Sequence, residues 1–210
     1  MRSIVVFGLL FGASVLLAAK SNPSPPSYTD PPSICDGIAS NLVANCGFET
    51  GDFTSWTLAN TNNTLVASAF DEGPNSGSFF AALGNVGSDG SVSQTLATTA
   101  GQTYTFNFFL ASDGGTPSDF QAQWDGVSLV SLVNTPATPY LPYTFTVTGT
   151  GSDTINFLER NDPSWWGLDD VSVVAATATP EPSSLFGSFL LLGLLAGCGA
   201  VYKRRKVQNS

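Results

Sequence analysis

The stretch TYTFNFFLA, residues 103–111, alternates large apolar side chains with polar ones. Positions 104, 106, 108 and 110 are Tyr, Phe, Phe and Leu, whereas positions 103, 105 and 107 are Thr, Thr and Asn. Successive side chains of a strand point to opposite faces, so this period of two is typical of a strand with one face in a core. The stretch therefore predicts a half-buried antiparallel strand.

The same alternation recurs later in the chain. It appears in YTFTVT, residues 143–148, and at Ile155 and Phe157. Other short β-branched and aromatic runs lie between Gly, Asn, Asp and Pro, at residues 56–60, 65–70, 78–83, 91–97, 120–124, 127–133 and 167–174. No helical period competes with them. About ten short strands predict an all-β fold, a jelly-roll β-sandwich of two sheets over residues 35–176.

The N-terminus predicts export. Residues 1–19 hold Arg2, an apolar run and a small-residue end, the pattern of a secretory signal peptide. A retained N-terminal anchor is the alternative, but the run is short for a span of about 20 residues. Residues 20–34 are rich in Pro and Ser and predict an extended leader.

The C-terminus predicts a membrane anchor. A linker at residues 177–184 contains Pro180, Glu181 and Pro182, and an apolar stretch at residues 185–202 is long enough to span the bilayer as a transmembrane helix. The tail at residues 203–210 begins with four cations, which the positive-inside rule keeps in the cytoplasm. We therefore expect the folded domain outside the cell, at the envelope or in the medium.

The charge of the body restricts its partners. The chain has a net charge of −9, and between Asp30 and Asp170 fifteen carboxylates face Arg160 alone. Nucleic acid is excluded as a partner, because phosphate binding requires clustered Lys and Arg. Such a domain suits divalent cations or neutral ligands such as sugars.

The cysteines predict one disulfide. Cys198 lies in the predicted transmembrane helix, which leaves Cys35 and Cys46 outside. In an oxidising compartment these two are expected to pair. A zinc site is the weaker alternative, because the chain has no histidine and two thiols are too few.

Three stretches resemble carbohydrate-binding-module-like domains with the galactose-binding jelly-roll fold. They are NLVANCGFETGDFTSW at residues 41–56, SVSQTL followed by GQTY between residues 91 and 104, and WGLDDVSV at residues 166–173. Their order fits one complete domain. Cys46 departs from the pattern, since such modules usually carry a small residue there.

The Pro180-Glu181-Pro182 segment, the apolar stretch and the basic tail resemble the PEP-CTERM sorting signal. The resemblance implies processing by an exosortase-type membrane enzyme, with release or transfer of the body. It also implies an association with bacteria that make exopolysaccharide or biofilm matrix.

Catalysis is not expected. Without histidine or a free exported thiol, only carboxylates remain as acids and bases. Asp169 with Asp170, or Glu159 with Asp162, are the pairs to consider. Adjacent strand residues point to opposite faces, so the first pair is not expected to share a substrate.

Asp169 is a candidate metal ligand. It lies in phase with Val171 and Val173, so it is expected to face the core, where a carboxylate needs compensation. An ion pair with Arg160 is one solution. A calcium ion is the other, held by Glu49, Asp169 and backbone carbonyls, with Asp170 as the fallback ligand. The resemblance supports the calcium ion, because the first and last strands of similar modules come together.

Sugar binding commonly uses exposed aromatic rings. Trp165, Trp124 and Tyr140 are the ligand candidates, against the alternative that a sandwich tryptophan is simply core. We therefore expect an exported, exosortase-sorted envelope protein with a non-catalytic module that binds extracellular polysaccharide. The alternative is a structural matrix protein without a specific glycan ligand.

Overall fold

The computed structural model describes residues 32–69 and 73–177. This part of the chain folds into ten strands, which confirms the predicted all-β class. The strands are β1 Thr57–Ala59, β2 Thr64–Ala67, β3 Phe80–Leu83, β4 Gly90–Ala97, β5 Thr103–Ser112, β6 Ser118–Trp124, β7 Val127–Val133, β8 Thr138–Thr148, β9 Ser152–Asn161 and β10 Trp166–Ala175. The described helical structure is one 3₁₀ turn, Ile34–Gly37.

The strands form two antiparallel five-stranded sheets packed as a sandwich. The first sheet has the order β1-β4-β9-β6-β7, and the second has the order β2-β3-β10-β5-β8. Neighbours in a sheet are mostly distant in sequence, an arrangement consistent with the predicted jelly roll. The last strand, β10, lies at the centre of the second sheet, between β3 and β5.

Alternate side chains of both sheets meet in an aromatic core. Phe157 of the first sheet lies with its ring centroid 5.2 Å from Phe108 and 6.0 Å from Phe106, both on β5. Phe120 joins Phe157 at 5.9 Å and Trp166 at 5.6 Å. Burying each such ring stabilises the fold by about 1.5–3 kcal/mol relative to exposure. The period of two in the sequence thus reflects the two facing sheets.

Residues 32–56, which we call the opening segment, are hydrogen-bonded to β10 and contribute side chains to the core. The amide of Leu42 donates to the Val173 carbonyl, and the amide of Val171 donates to the Cys46 carbonyl. A disulfide joins Cys35 and Cys46, which confirms the predicted pairing. The opening segment is therefore closed on itself by the disulfide and held to the final strand by hydrogen bonds.

Several predictions fall outside the described residues. They are the signal peptide at residues 1–19, the Pro-Glu-Pro motif at residues 180–182, the apolar stretch at residues 185–202 and the basic tail at residues 203–210. Within residues 32–69 and 73–177, no helix has the length and apolar character to cross a membrane.

Candidate functional site

A β-bulge in β10 shapes the acidic part of the site. The pairing of β10 with β5 shifts by one residue between Asp169 and Ser172, and Asp170 takes a left-handed backbone with φ of 50°. Asp169 lies opposite Phe109, whose side of β5 faces away from the core. The expectation that Asp169 shares the core face of Val171 is wrong, because the extra residue breaks the alternation.

The bulge also aims both carboxylates at one loop, residues 73–79. Asp169 Oδ2 accepts the amides of Asn75 at 2.8 Å and Ser76 at 3.2 Å. Asp170 accepts the Asn75 side-chain amide at 2.7 Å and the Ser76 hydroxyl at 2.8 Å. The expectation that two adjacent residues must point apart therefore fails here. Both are buried, with Asp169 0% and Asp170 3% exposed, so neither is presented to a substrate.

Glu49 reaches the same loop from the opening segment. Its carboxylate accepts the amide of Ser78 at 3.0 Å and that of Phe79 at 3.2 Å. Gly77 has a φ of 67°, and a Cβ there would collide with the Glu49 carboxylate. Glycine is therefore required at this position both by its backbone and by the close approach. The structure brings Glu49, Asp169 and Asp170 together around residues 73–79.

Glu49, Asp169 and Asp170 form an acidic cluster. Among the described residues, no Lys or Arg neutralises its negative charge. Burial, reinforced by the charge of Asp170, raises the pKa of Asp169 to about 8. Burial also raises the pKa of Glu49, against the hydrogen bonds from Ser78 and Phe79 that lower it. The cluster therefore favours either protons or a bound cation.

Arg160 does not supply that cation. It is the sole Lys or Arg within residues 32–69 and 73–177, and its guanidinium lies 2.6 Å from Asp162. The ion pair of Asp169 with Arg160, considered from the sequence, is therefore replaced by one of Arg160 with Asp162. Neighbouring Glu159 is 0% exposed and accepts the hydroxyl of Thr64 at 2.6 Å, so this second acid pair is also closed to a substrate.

The acidic cluster offers calcium the right kind of donor, without showing a preformed coordination shell. Three carboxylates offer hard oxygen ligands, and a divalent cation would offset both the burial and the repulsion from Asp170 that raise the pKa of Asp169. Within the described residues, the ligand atoms of Cys35, Asp36 and Cys46 lie within 4.8 Å of one another, whereas those of the acidic cluster are not grouped so tightly. Because both sulfurs of the first group belong to the disulfide, that group has no thiolate to offer a metal.

Trp124 belongs to the core. Its side chain is 7% exposed and its ring lies 6.2 Å from Phe106 across the sandwich. Its ring faces are covered by neighbouring side chains, so it cannot stack on a sugar. This position corrects its assignment as a ligand residue and matches the alternative that a sandwich tryptophan is core.

Trp165 and Tyr140 both lie on the outer face of the second sheet. Trp165 is half-buried and packs against Ala67, Phe80 and Ala82. A Cβ added to Gly167, which pairs with Ala82, would lie 2.6 Å from the Tyr140 hydroxyl. Two rings that are 25 residues apart in the chain thus cover neighbouring small residues on one surface.

Asp113 fixes the approach of Trp165 to the sheet. Its carboxylate accepts the Trp165 amide at 2.8 Å and the hydroxyl of Ser164. Gly84 lies under the indole, where any side chain would collide with the ring. The backbone before β10 is therefore held so that the ring packs close to Gly84, at the end of β3. We call the surface formed by Trp165, Tyr140, Ala82 and Gly167 the aromatic face.

The opposite sheet carries a row of amides that the sequence analysis did not identify. Gln121 and Gln123 of β6 and Asn156 of β9 lie on the outer face of the first sheet, with Gln123 opposite Asn156. Asn156 donates to Gln123 at 3.1 Å, and the Oδ1 atom of Asn156 is buried with no hydrogen-bond partner among the described residues. Their alternation with core residues is visible in the sequence, but their meeting depends on the register of β6 and β9.

The sandwich with these two faces has the fold of carbohydrate-binding modules. TmCBM61 in complex with beta-1,4-galactotriose is 20% identical, with a TM-score of 0.50, and the match covers 66% of this chain and 100% of that one. The xylan-binding domain from CBM 22 is 14% identical, with a TM-score of 0.52 and coverages of 68% and 99%. A family 22 module of Clostridium thermocellum Xyn10B is 13% identical, with a TM-score of 0.51 and the same coverages. No protein-family model and no curated protein matches the sequence.

Proposed function

We propose that this chain is an exported, non-catalytic protein of the cell envelope whose sandwich domain binds extracellular polysaccharide through the aromatic face. The observation that carries the proposal is the placement of Trp165 and Tyr140 on one surface of the second sheet. Flat aromatic rings bind the apolar faces of sugar rings, and neighbouring polar groups then fix orientation. The fold shared with modules crystallised with galactotriose or described as xylan-binding supports this ligand class.

Calcium has a structural role in this proposal. Glu49, Asp169 and Asp170 would hold the ion, and loop 73–79 would be fixed between the opening segment and β10. When bound, the ion supplies positive charge to the acidic cluster, which has no Lys or Arg partner among the described residues. The carboxylates, meanwhile, keep their hydrogen bonds to the loop amides.

Sorting completes the proposal and rests on the sequence alone. An exosortase-type enzyme would recognise the segment around Glu181 and process the chain before the apolar stretch at residues 185–202. The body would then remain at the envelope or pass into the exopolysaccharide or biofilm matrix. Its strongly acidic charge is compatible with neutral polysaccharides, which do not repel it.

Affinity electrophoresis of the full chain in gels containing neutral polysaccharides tests the proposal. We expect retardation by at least one polysaccharide, and at least a tenfold weaker interaction for Trp165→Ala and Tyr140→Ala. Gln123→Ala, on the opposite sheet, is the matched control and is expected to leave binding unchanged. Loss of binding in Gln123→Ala with normal binding in Trp165→Ala would move the ligand to the amide row. No retardation by any polysaccharide, including that of the producing bacterium, would favour a structural matrix protein.

A further inference from the structure

The edge strands of the two sheets are protected to very different degrees. β1 and β2 have three and four residues, and β8 contains Pro139 and Pro142. Short strands and prolines are common means of preventing edge-to-edge pairing. β7 pairs with β6 on one side and is the end strand of its sheet, yet it has seven residues and no proline. Its β-bulge between Ser128 and Val130 leaves residues 130–133 in regular pairing. β7 is therefore the open edge of the sandwich.

The surface of β7 is apolar and uncharged. Its sequence is VSLVSLV, and Val127 and Val133 are 66% and 67% exposed. Edge strands in natural proteins usually carry a charge that blocks such pairing. Here no Asp, Glu, Lys or Arg occurs from Gly126 to Ser152. The exposed valines and the backbone of the edge thus form a template for an added strand.

The charge distribution identifies the partner as another copy of this chain. The described residues contain twelve carboxylates and one guanidinium, so two copies repel each other over most of their surfaces. The uncharged edge is where this repulsion is smallest. A basic partner would instead be attracted to the acidic surfaces away from β7. An uncharged, apolar edge on an acidic body therefore selects a second copy that presents the same edge.

The register of β7 permits a symmetric pair. Val130 lies opposite Ala122 and Leu132 opposite Phe120, so both are on the core side, whereas Ser131 lies opposite Gln121 on the outer side. In an antiparallel pair centred on Ser131, Val130 faces Leu132 of the second copy and Ser131 faces its own equivalent. Core-side residues then meet core-side residues, as a continuous sheet requires.

We propose that β7 is a self-association edge, through which two copies pair antiparallel around Ser131 into one ten-stranded sheet. This association is independent of the proposed glycan binding, since the aromatic face is on the other sheet. Strand pairing of this size buries a small area, so we expect an association that depends on protein concentration.

A charge-swap experiment tests the pairing in the full chain. Sedimentation velocity is expected to show a concentration-dependent dimer for the wild type, and at least a tenfold weaker dimer for Ser131→Asp or Ser131→Lys alone. An equimolar mixture of the two variants is expected to restore the dimer, because opposite charges then meet at the centre. Thr95→Asp, exposed on the same face of β4, is the matched control. A wild-type monomer at every concentration, or a dimer unaffected by Ser131→Asp, would overturn the proposal.

Cross-linking provides a second readout that does not depend on weakening the dimer. With Cys198 replaced by serine, a Ser131→Cys variant is expected to form disulfide dimers at least tenfold faster than a Thr95→Cys variant. Equal rates for the two positions would indicate random collisions and contradict the symmetric register. Unchanged melting temperatures of both variants would show that the fold is preserved.

Discussion

Asp169 combines complete burial with an unusually high affinity for a proton. The native pKa is about 8, whereas that of an exposed aspartate is 3.8. The folded protein therefore binds the proton more tightly than the unfolded chain does. Without a cation, the contribution of Asp169 to stability is complete below about pH 4 and is lost as the pH rises towards 8. A bound calcium ion would replace the proton and reverse this loss.

We predict that calcium raises the melting temperature at pH 8 and that excess chelator lowers it. At a calcium concentration one hundred times the dissociation constant, the stabilisation is about 2.7 kcal/mol. Asp169→Ala and Glu49→Ala are expected to abolish the calcium response, whereas Asp52→Ala, an exposed acid of the same segment, should keep it. A melting temperature that is insensitive to chelator, with no calcium found by metal analysis, would contradict the site.

Glu159 provides an acid outside the acidic cluster for comparison. Burial raises its pKa to about 7, against hydrogen bonds from Thr64 and the Asn85 amide. We predict that part of the stability is lost as the pH rises from 4.5 to 7, and that this part persists in saturating calcium. Glu159→Gln should flatten the profile in that window. Denaturant unfolding at several pH values measures this profile. If the free energy of unfolding of Glu159→Gln falls as steeply with pH as that of the wild type, the assignment is wrong.

At the scale of elements, the opening segment is held in place by the disulfide within it and by its contacts with β10. The Cys35–Cys46 bridge closes a short loop, and the amide of Cys35 donates to Asp170 at 3.3 Å. The disulfide therefore restricts the segment that contacts the acidic cluster. Loss of the disulfide would raise the conformational entropy of the unfolded chain. In the folded chain it would weaken the contact between Cys35 and Asp170.

We predict that replacing both Cys35 and Cys46 by serine lowers the free energy of unfolding by about 3 kcal/mol, as expected for closing a loop of this length. Chemical denaturation with and without reductant measures the difference. Cys198→Ser serves as the control and should unfold like the wild type. Equal stability of the double variant and the wild type would show that the bridge contributes nothing.

The elements show what could be predicted from sequence. The strand at residues 103–111 is observed as Thr103–Ser112, because strict alternation reports a two-sided environment directly. The orientation of Asp169 could not be predicted, because a one-residue bulge leaves no signal in the pattern. Trp124 and Trp165 have the same side chain, and only the packing of the two sheets distinguishes a core ring from a surface ring.

At the scale of the whole molecule, the chain combines a sandwich domain with terminal stretches, outside the described residues, for which we propose roles in export and sorting. We predict that the protein recovered from the envelope or medium of its host lacks the segment beyond about residue 182, because Pro-Glu-Pro would mark the border of the proposed sorting signal. Intact mass measures this directly. Recovery of the complete tail ending at Ser210 in all molecules would leave a simple single-span anchor.

The central claim is tested most directly by the intrinsic fluorescence of the full chain. The titrant is an oligosaccharide from a polysaccharide that slows the protein in affinity electrophoresis. Trp56, Trp124 and Trp166 are at most 7% exposed, so Trp165 is the indole that a ligand can reach. We predict a saturable fluorescence change that disappears in Trp165→Phe, while Gln123→Ala keeps it. A ligand that binds by calorimetry without changing this fluorescence, or that binds Trp165→Ala as tightly as the wild type, would contradict polysaccharide binding at the aromatic face.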